Sequence, residues 1–329
     1  MLKTHFTKDL SFDILKNRTI AIIGYGSQGH AHAQNLRDRG LNVLVANHKD
    51  TPNGRKAVSV GFQVLTAGEA AQKADFIMML APDEKQAEIY RNEIEPYMTE
   101  GKILAFGHGF NIHYGLIKPK ENIDVILVAC KSQGHKIREA FLHGGALTCL
   151  YNVCQNFSGK AEEYALAYAK AVETEDSTAM ECSFREETVT NLFGEQTVLV
   201  GGLMELIKAG FETLVKAGYS PETAYFETCH EVKLLTDIIF SGGLTKMVNG
   251  ISNTAIYGGF LTGPEIIGKE SRKAMETALK NIEDGSFAQK FITDIKKENN
   301  LLTEKRKETE KEEIEQIGLR LRQMLKIQE

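Results

Sequence analysis

The sequence predicts an α/β fold with a doubly wound, mostly parallel sheet, followed by an all-helical region. Short apolar, β-rich runs alternate with helical patterns through the first half of the chain, and the strand signal stops near residue 184. The first convincing strand also runs straight into a Gly-x-Gly-x-x-Gly turn that opens a helix. At 329 residues the chain is longer than one core usually organises, so two domains are expected, 1–183 and 184–329.

Residues 1–17 read as a lead-in. Arg18–Ile23 is the first strand, and Gly24-Tyr25-Gly26-Ser27-Gln28-Gly29 follows it, then a helix from His30 to Arg39 that Gly40 closes. Asn42–Ala46 is the next strand. In this strand, turn, helix, strand context each glycine has a task. Gly24 permits the tight turn, Gly26 lets a pyrophosphate approach the backbone, and Gly29 lets helix and strand pack closely. The helix N-terminus offers free N–H groups and partial positive charge to the phosphates. Further strands are expected at Asp75–Leu80, Lys102–Phe106, Val125–Ala129 and Gly145–Val153, with helices at Gln86–Tyr97 and Gly159–Val172. Ligands of such a sheet lie beyond the C-terminal strand ends. Asp83, His108 and Lys131 fall at three of those ends and so share a rim with the glycine loop.

The helical region starts at Phe184. Glu195–Ala217 is apolar nearly all round, which predicts a buried helix. Pro221–Phe240, Arg272–Asp284, Ser286–Asn299 and Thr303–Gln323 are further helices, with shorter pieces in Ser241–Pro264. Two oxygen-bearing pairs lie four residues apart, Asn191/Glu195 and Glu227/Glu231, and so share a helix face. Two glutamates there repel. A bound divalent cation, for which hard oxygen ligands suit Mg²⁺, is one reason to place them together, and a solvated acidic face is the other. The neighbours Phe226, Leu234 and Leu235 suggest a buried helix and favour the metal.

His108, between two glycines at a strand end, suits an acid, a hydrogen-bond donor or a phosphate-side group. Lys131 can anchor an anion or stabilise an oxyanion, or simply be exposed. After the second strand comes Asn47-His48-Lys49-Asp50-Thr51-Pro52-Asn53-Gly54-Arg55, with no acid directly at the strand end to bind ribose hydroxyls. His48, Lys49, Thr51 and Arg55 can receive a 2′-phosphate, so NADP(H) is the expected cofactor; Asp50 argues for NAD(H).

A net charge of −5 gives no reason to expect nucleic acid as a partner. No apolar run approaches the ~18 to 20 residues of a membrane span, and no signal-peptide core stands at the N-terminus. The five cysteines are scattered without metal-site spacing, which predicts reduced thiols and a cytoplasmic protein.

The motifs Gly24-Tyr-Gly-Ser-Gln-Gly-His-Ala-His-Ala33, Gly107-His-Gly-Phe-Asn-Ile-His113, Leu192-Phe-Gly-Glu-Gln196, Ala217-Gly-Tyr-Ser-Pro221, Tyr225-Phe-Glu227 with His230-Glu-Val-Lys-Leu234, and Ile251-Ser-Asn-Thr-Ala255 resemble ketol-acid reductoisomerase in its short form. Glu313–Arg322 resembles that family's last helix, so the likeness spans essentially the whole chain. It implies an N-terminal Rossmann-type domain and a helical, knotted C-terminal domain. It also implies at least a homodimer whose active sites draw helical residues from the partner subunit. The implied reaction is an Mg²⁺-dependent alkyl shift in a 2-acetolactate-type acid, then NADPH reduction to a dihydroxy acid of the valine and isoleucine pathway. Carried onto this chain, Gly24, Tyr25, Gly26, Ser27, Gln28 and Gly29 bind the dinucleotide, with Asp83 and His108 at the same rim. His48, Lys49, Thr51 and Asn53 meet its adenosine end. Asn191, Glu195, Glu227 and Glu231 stand at or near the metals, with Glu195 also catalytic beside His108 and Lys131. Ser252 contacts the substrate.

The chain departs from the family pattern in three places. The family has aspartate at position 191, a carboxylate bridging two metals, where this chain has Asn191. The family's Pro-Lys-Gly-Pro-Gly-His becomes Cys130-Lys131-Ser132-Gln133-Gly134-His135, and Glu-Tyr-Gly-Asp becomes Ile256-Tyr257-Gly258-Gly259. Acidic groups are lost on the metal and substrate side while the glycine loop is intact. Three readings follow: a reductoisomerase with an unusual metal site, a paralogue that only reduces a 2-oxo acid or imine with one Mg²⁺ or none, and a non-catalytic dinucleotide-binding protein.

Overall fold

A computed structural model of the chain describes residues 2–326; the outer limits 1 and 329 of the two expected domains lie outside them. The chain divides into two compact units, Met1–Thr188 and Val189–Glu329.

The first unit is built on one nine-stranded sheet of order β1-β9-β8-β7-β6-β5-β2-β3-β4. Its strands are β1 (Thr4–Phe6), β2 (Thr19–Ile23), β3 (Asn42–Ala46), β4 (Val64–Leu65), β5 (Phe76–Met79), β6 (Ile103–Phe106), β7 (Asp124–Cys130), β8 (Thr148–Gln155) and β9 (Thr178–Glu181). The helices are α1 (Ser27–Asp38), α2 (Pro52–Ser59), α3 (Ala67–Lys73), α4 (Asp83–Ile89), α5 (Phe110–His113), α6 (Gly134–His143) and α7 (Ala161–Val172). Strands β4, β3, β2, β5, β6 and β7 run parallel; β8 turns antiparallel to β7, and β1 pairs antiparallel with β9. The strand interiors are apolar because both faces are covered. Ile20 and Ile22 enter one core, with Phe76 stacked on Tyr168 at 5.0 Å. Ala21, Ile77 and Leu104 enter the other. Strand order reverses at β2, between β3 and β5, and this switch point opens a crevice at the strand ends.

Local signals set the helix boundaries. Thr51 caps α2, accepting from Gly54 N, with Pro52 at the first position. Thr66 and Glu69 form a capping box on α3. Three strands escaped the sequence reading. β1 lies in the supposed lead-in, β4 is two residues long and β9 stands just before the helical region; β1 and β4 are the sheet edges, and all three are too short to show a long apolar run.

The second unit is helical, entered through α8 (Phe184–Gly194), which begins in the first unit. It continues through α9 (Gly201–Lys216), α10 (Pro221–Tyr225), α11 (Glu231–Gly250), α12 (Asn253–Ile266), α13 (Lys269–Glu283), α14 (Ser286–Asp294), α15 (Leu301–Thr309) and α16 (Glu313–Met324). Two wide π-helical turns interrupt it, Glu195–Leu199 and Phe226–His230. Its buried cluster joins Phe211, Ala224 and Tyr225 to Ile314, Ile317 and Leu321 of α16, where Gly318 lies under the Tyr225 ring.

Three expectations are corrected here. The Glu195–Ala217 segment is not buried within one chain: Val198, Leu199, Val200 and Leu206 are all at least half exposed, and only Phe211 is buried. Leu234 is 53% exposed and Leu235 is also exposed, so their apolarity does not mark a buried helix around Glu227 and Glu231. The expected last helix is two, broken between Thr309 and Glu313 after a run whose charges favour no face. No helix among the described residues is long and apolar enough to cross a membrane.

Candidate active site

The glycine loop closes the end of β2 as its spacing requires. Gly24 has φ +102°, and a Cβ there would lie 2.7 Å from Ala81 N; a Cβ on Gly29 would lie 2.0 Å from the Gly24 carbonyl oxygen. Gly26 differs, because a Cβ there meets nothing within 4 Å. Its missing side chain leaves open space at the N-terminus of α1, where no side chain caps the helix. That is an anion cradle: free N–H groups at the positive end of a helix, with room for a phosphate. Above it lies a cleft of about 860 Å³ lined by Tyr25, Ser27, Gln28, His48, Asn53 and Asp83, among others. The residues present fit a dinucleotide.

The loop after β7 is docked onto this cradle. Gln28 Nε2 donates to the Ser132 carbonyl at 2.7 Å, and Gly134 N donates to Ser27 Oγ at 3.3 Å. The altered Ser132-Gln133-Gly134 turn therefore still meets the glycine loop, and the Gln28 and Ser27 side chains position it. At the adenosine side, Thr51 is committed to capping α2 and to the His48 carbonyl at 2.7 Å, and Arg55 donates to the Asp50 carbonyl. His48 and Asn53 line the cleft; Lys49 is exposed and is not among the lining residues.

The rim predicted from strand ends is assembled by a residue that sequence reasoning missed. Glu187, on α8, is 1% exposed. Its Oε2 accepts from His108 Nδ1 and from Gly109 N, both at 2.9 Å, and its Oε1 accepts from Lys131 Nζ at 2.6 Å. On the other side of the imidazole, Asp83 Oδ2 lies 4.0 Å from His108 Nε2. Asp83 is itself held by Gln86 Nε2 on Oδ1 at 3.2 Å, and its carbonyl by Asn111 Nδ2 at 2.9 Å. Burial alone pushes the Glu187 carboxyl up, but the His108 hydrogen bond and the charges of His108 and Lys131 outweigh it and hold the group at about 2. Burial lowers His108, and the Glu187 bond and charge, with Asp83, reverse this and raise it above its ordinary value. A buried carboxylate thus holds the imidazole that lines the cleft and the Lys131 ammonium together. Glu187 stood in the sequence beside the glutamate of Arg185-Glu186-Glu187-Thr188, and its helical spacing to Asn191 was the one signal that could have found it.

The remaining predicted residues lie in the helical unit. Asn191 Nδ2 donates to Glu195 Oε1 at 3.4 Å, so the pair is linked as its spacing suggested. Glu195 opens one π turn, Glu227 lies in the other, and Glu231 directly follows it. Such wide turns splay side chains from the ordinary helical spacing and recur at functional sites. Ser252 caps α12, accepting from Ala255 N at 3.2 Å. Among the described residues no three His, Cys, Asp or Glu side chains gather to hold a metal. The described side chains of one chain therefore do not gather a magnesium ligand set by themselves.

Comparison with known proteins agrees with this geometry. Residues 14–177 match the acetohydroxy acid isomeroreductase NADPH-binding domain and residues 184–327 the ketol-acid reductoisomerase C-terminal domain. The chain is similar to the NADH-preferring ketol-acid reductoisomerase from an uncultured archean, with 43% identity, TM-score 0.95, and coverage of 98% of this chain and 99% of that one. A semialdehyde dehydrogenase NAD-binding protein from Cupriavidus necator (16% identity, TM-score 0.60, 82% and 99% covered) shares the fold. So does the Plasmodium falciparum pyrroline carboxylate reductase (13%, 0.51, 82% and 98%). With both halves matched in order and the cofactor cradle, the cleft and its charged rim in place, this chain belongs to the ketol-acid reductoisomerase family of NAD(P)H-dependent oxidoreductases of branched-chain amino acid synthesis.

Proposed function

We propose that the chain carries out both parts of the family reaction: it rearranges a 2-acetolactate-type acid and reduces the product to a 2,3-dihydroxy acid. The observation that supports this most directly is the buried Glu187 carboxylate clamping His108 and Lys131 beside the dinucleotide cleft. Bound nicotinamide cofactor supplies the reducing equivalent. Lys131 brings a positive charge to the cleft edge, suited to a substrate carboxylate or a developing oxyanion. His108, its Nδ1 fixed by Glu187 and its pKa raised by that contact, would in its doubly protonated form offer the Nε2 proton to a carbonyl oxygen under reduction. We assign 1–183 to dinucleotide binding and 184–329 to metal, substrate and dimer contacts.

Magnesium, when bound, supplies Lewis-acid polarisation of substrate oxygens. Since one chain gathers no ligand set, the reading places Asn191 and Glu195 opposite Glu227 and Glu231 of a second copy, with Ser252 toward the substrate. The exposed apolar side chains of the helical unit, Phe240 at 91% among them, support a homodimer. NADP(H) is the cofactor this reading takes, on His48 at the cleft and the lack of an acid directly at the end of β3. The NADH preference in the printed name of the archaeal relative keeps NAD(H) as the alternative.

The Asn191 amide favours a second reading, a paralogue that only reduces. A neutral amide donating to Glu195 cannot neutralise two cations as a carboxylate does. One assay pair separates the two: NADPH oxidation with 2-acetolactate and with 3-hydroxy-3-methyl-2-oxobutanoate, each with and without Mg²⁺. Turnover of both supports the reductoisomerase. Turnover of the second alone supports the reductase; turnover of neither, with NADPH binding seen by fluorescence, removes the reductoisomerase and leaves a different substrate or the non-catalytic protein.

A further inference from the structure

Two of the five free cysteines face each other across the sheet at the active-site end. Cys130, the last residue of β7, is the direct partner of Cys149 on antiparallel β8. The next pair toward the loop is hydrogen-bonded, Lys131 N donating to the Thr148 carbonyl at 2.8 Å. Since bonded and non-bonded pairs alternate along an antiparallel ladder, Cys130 and Cys149 occupy a non-hydrogen-bonded position. There the Cα atoms lie about 4.5 Å apart and the side chains approach most closely, within the span a disulfide bridges. Both side chains point to the same face: Cys149 is fully buried in the core that Cys130 packs against. The Glu173 carboxyl is the polar neighbour of the Cys130 thiol, and its buried Oε1 makes no hydrogen bond.

We propose that Cys130 and Cys149 are a reversible dithiol–disulfide site that staples β7 to β8 directly before Lys131. The oxidant is a peroxide. Cys130 loses its proton to Glu173 and attacks a peroxide oxygen, giving a sulfenic acid and, after the proton returns, water. The Cys149 thiol attacks the sulfenic sulfur, forms the S–S bond and releases a second water. Two thiols lose two protons and two electrons, and the peroxide takes up both and is reduced to two waters. Burial raises both thiols well above their ordinary value, so the step is slow at neutral pH and accelerates as pH rises.

The test uses the full chain treated with hydrogen peroxide at pH 7 and pH 9, then alkylated under denaturing conditions and digested. The expected result is a 130–149 cross-linked peptide that dithiothreitol reverses, with accessible thiols falling from five to three. The cross-link should persist in Cys154→Ser, whose target is exposed, and vanish in Cys130→Ala. Irreversible acids on Cys130 without the cross-link would overturn the proposal. So would both cysteines remaining fully alkylated while Cys154 oxidises. Because the wild-type chain carries the decisive measurement, a poorly folding variant does not obscure the answer.

Discussion

Lys131 Nζ and His108 Nδ1 bind opposite oxygens of one carboxylate, at 2.6 and 2.9 Å. Glu187 therefore fixes the separation of Lys131 from His108, which lines the cleft, and neither can move without breaking its contact with a buried carboxylate. Removing one partner of such a pair strands the others and costs about 3 to 5 kcal/mol.

Glu187→Gln should lower kcat/KM by about 100-fold or more, the usual contribution of a positioned acid. With the anion gone, burial, the largest influence on His108, and Lys131 both lower it, and only the Asp83 charge still raises it. The histidine resonance followed by NMR should then titrate below its ordinary value of 6.5 rather than above it. An unchanged titration would show that Glu187 does not govern the imidazole.

Stability should carry the same signature. Glu187 falls from an ordinary 4.5 to about 2, so its contribution is complete above 4.5 and is lost as pH drops toward 2. His108 is raised, so its contribution is complete below 6.5 and is lost as pH climbs through the raised value. The difference in unfolding free energy between the wild type and Glu187→Gln should be largest between 4.5 and 6.5 and shrink on both sides. Denaturant titrations across that range check it; a flat difference would contradict the clamp.

Two glycines of one loop should separate folding from binding. Gly26→Ala meets no neighbour within 4 Å, so melting should be unchanged while NADPH binding, read by fluorescence, weakens at least tenfold. Gly29→Ala puts a Cβ 2.0 Å from the Gly24 carbonyl, so binding and stability should fall together, the latter by about 2 kcal/mol.

Asn191→Asp should bind Mg²⁺ more tightly by titration calorimetry, since a second carboxylate joins Glu195. Without the ion, the two like charges should cost a few tenths of a kcal/mol. Equal Mg²⁺ affinity in the two proteins would remove the charge argument at this position.

What the sequence disclosed follows the range of the forces involved. The glycine loop was legible because strand, turn and helix are neighbours, and the same locality put Asp83, His108 and Lys131 on one rim. Glu187 was not legible, because its partners lie 79 and 56 residues away and only the folded sheet brings them together. The antiparallel turn of β8 was invisible for the same reason, since a buried strand reads alike in either direction. The helical unit misled in the opposite sense: apolar residues such as Leu199 and Leu234 signal burial, but the sequence does not say whether the cover comes from the same chain.

The buried apolar cluster of that unit, Phe211, Ala224, Tyr225, Ile314, Ile317 and Leu321, is small for a segment running from Val189 to Glu329. In the proposed homodimer, where a second copy covers these exposed faces, the unit would complete its folding in a step of second kinetic order. Its unfolding midpoint would then climb with protein concentration, and freshly synthesised chains at low copy number would spend the longest time open to proteases.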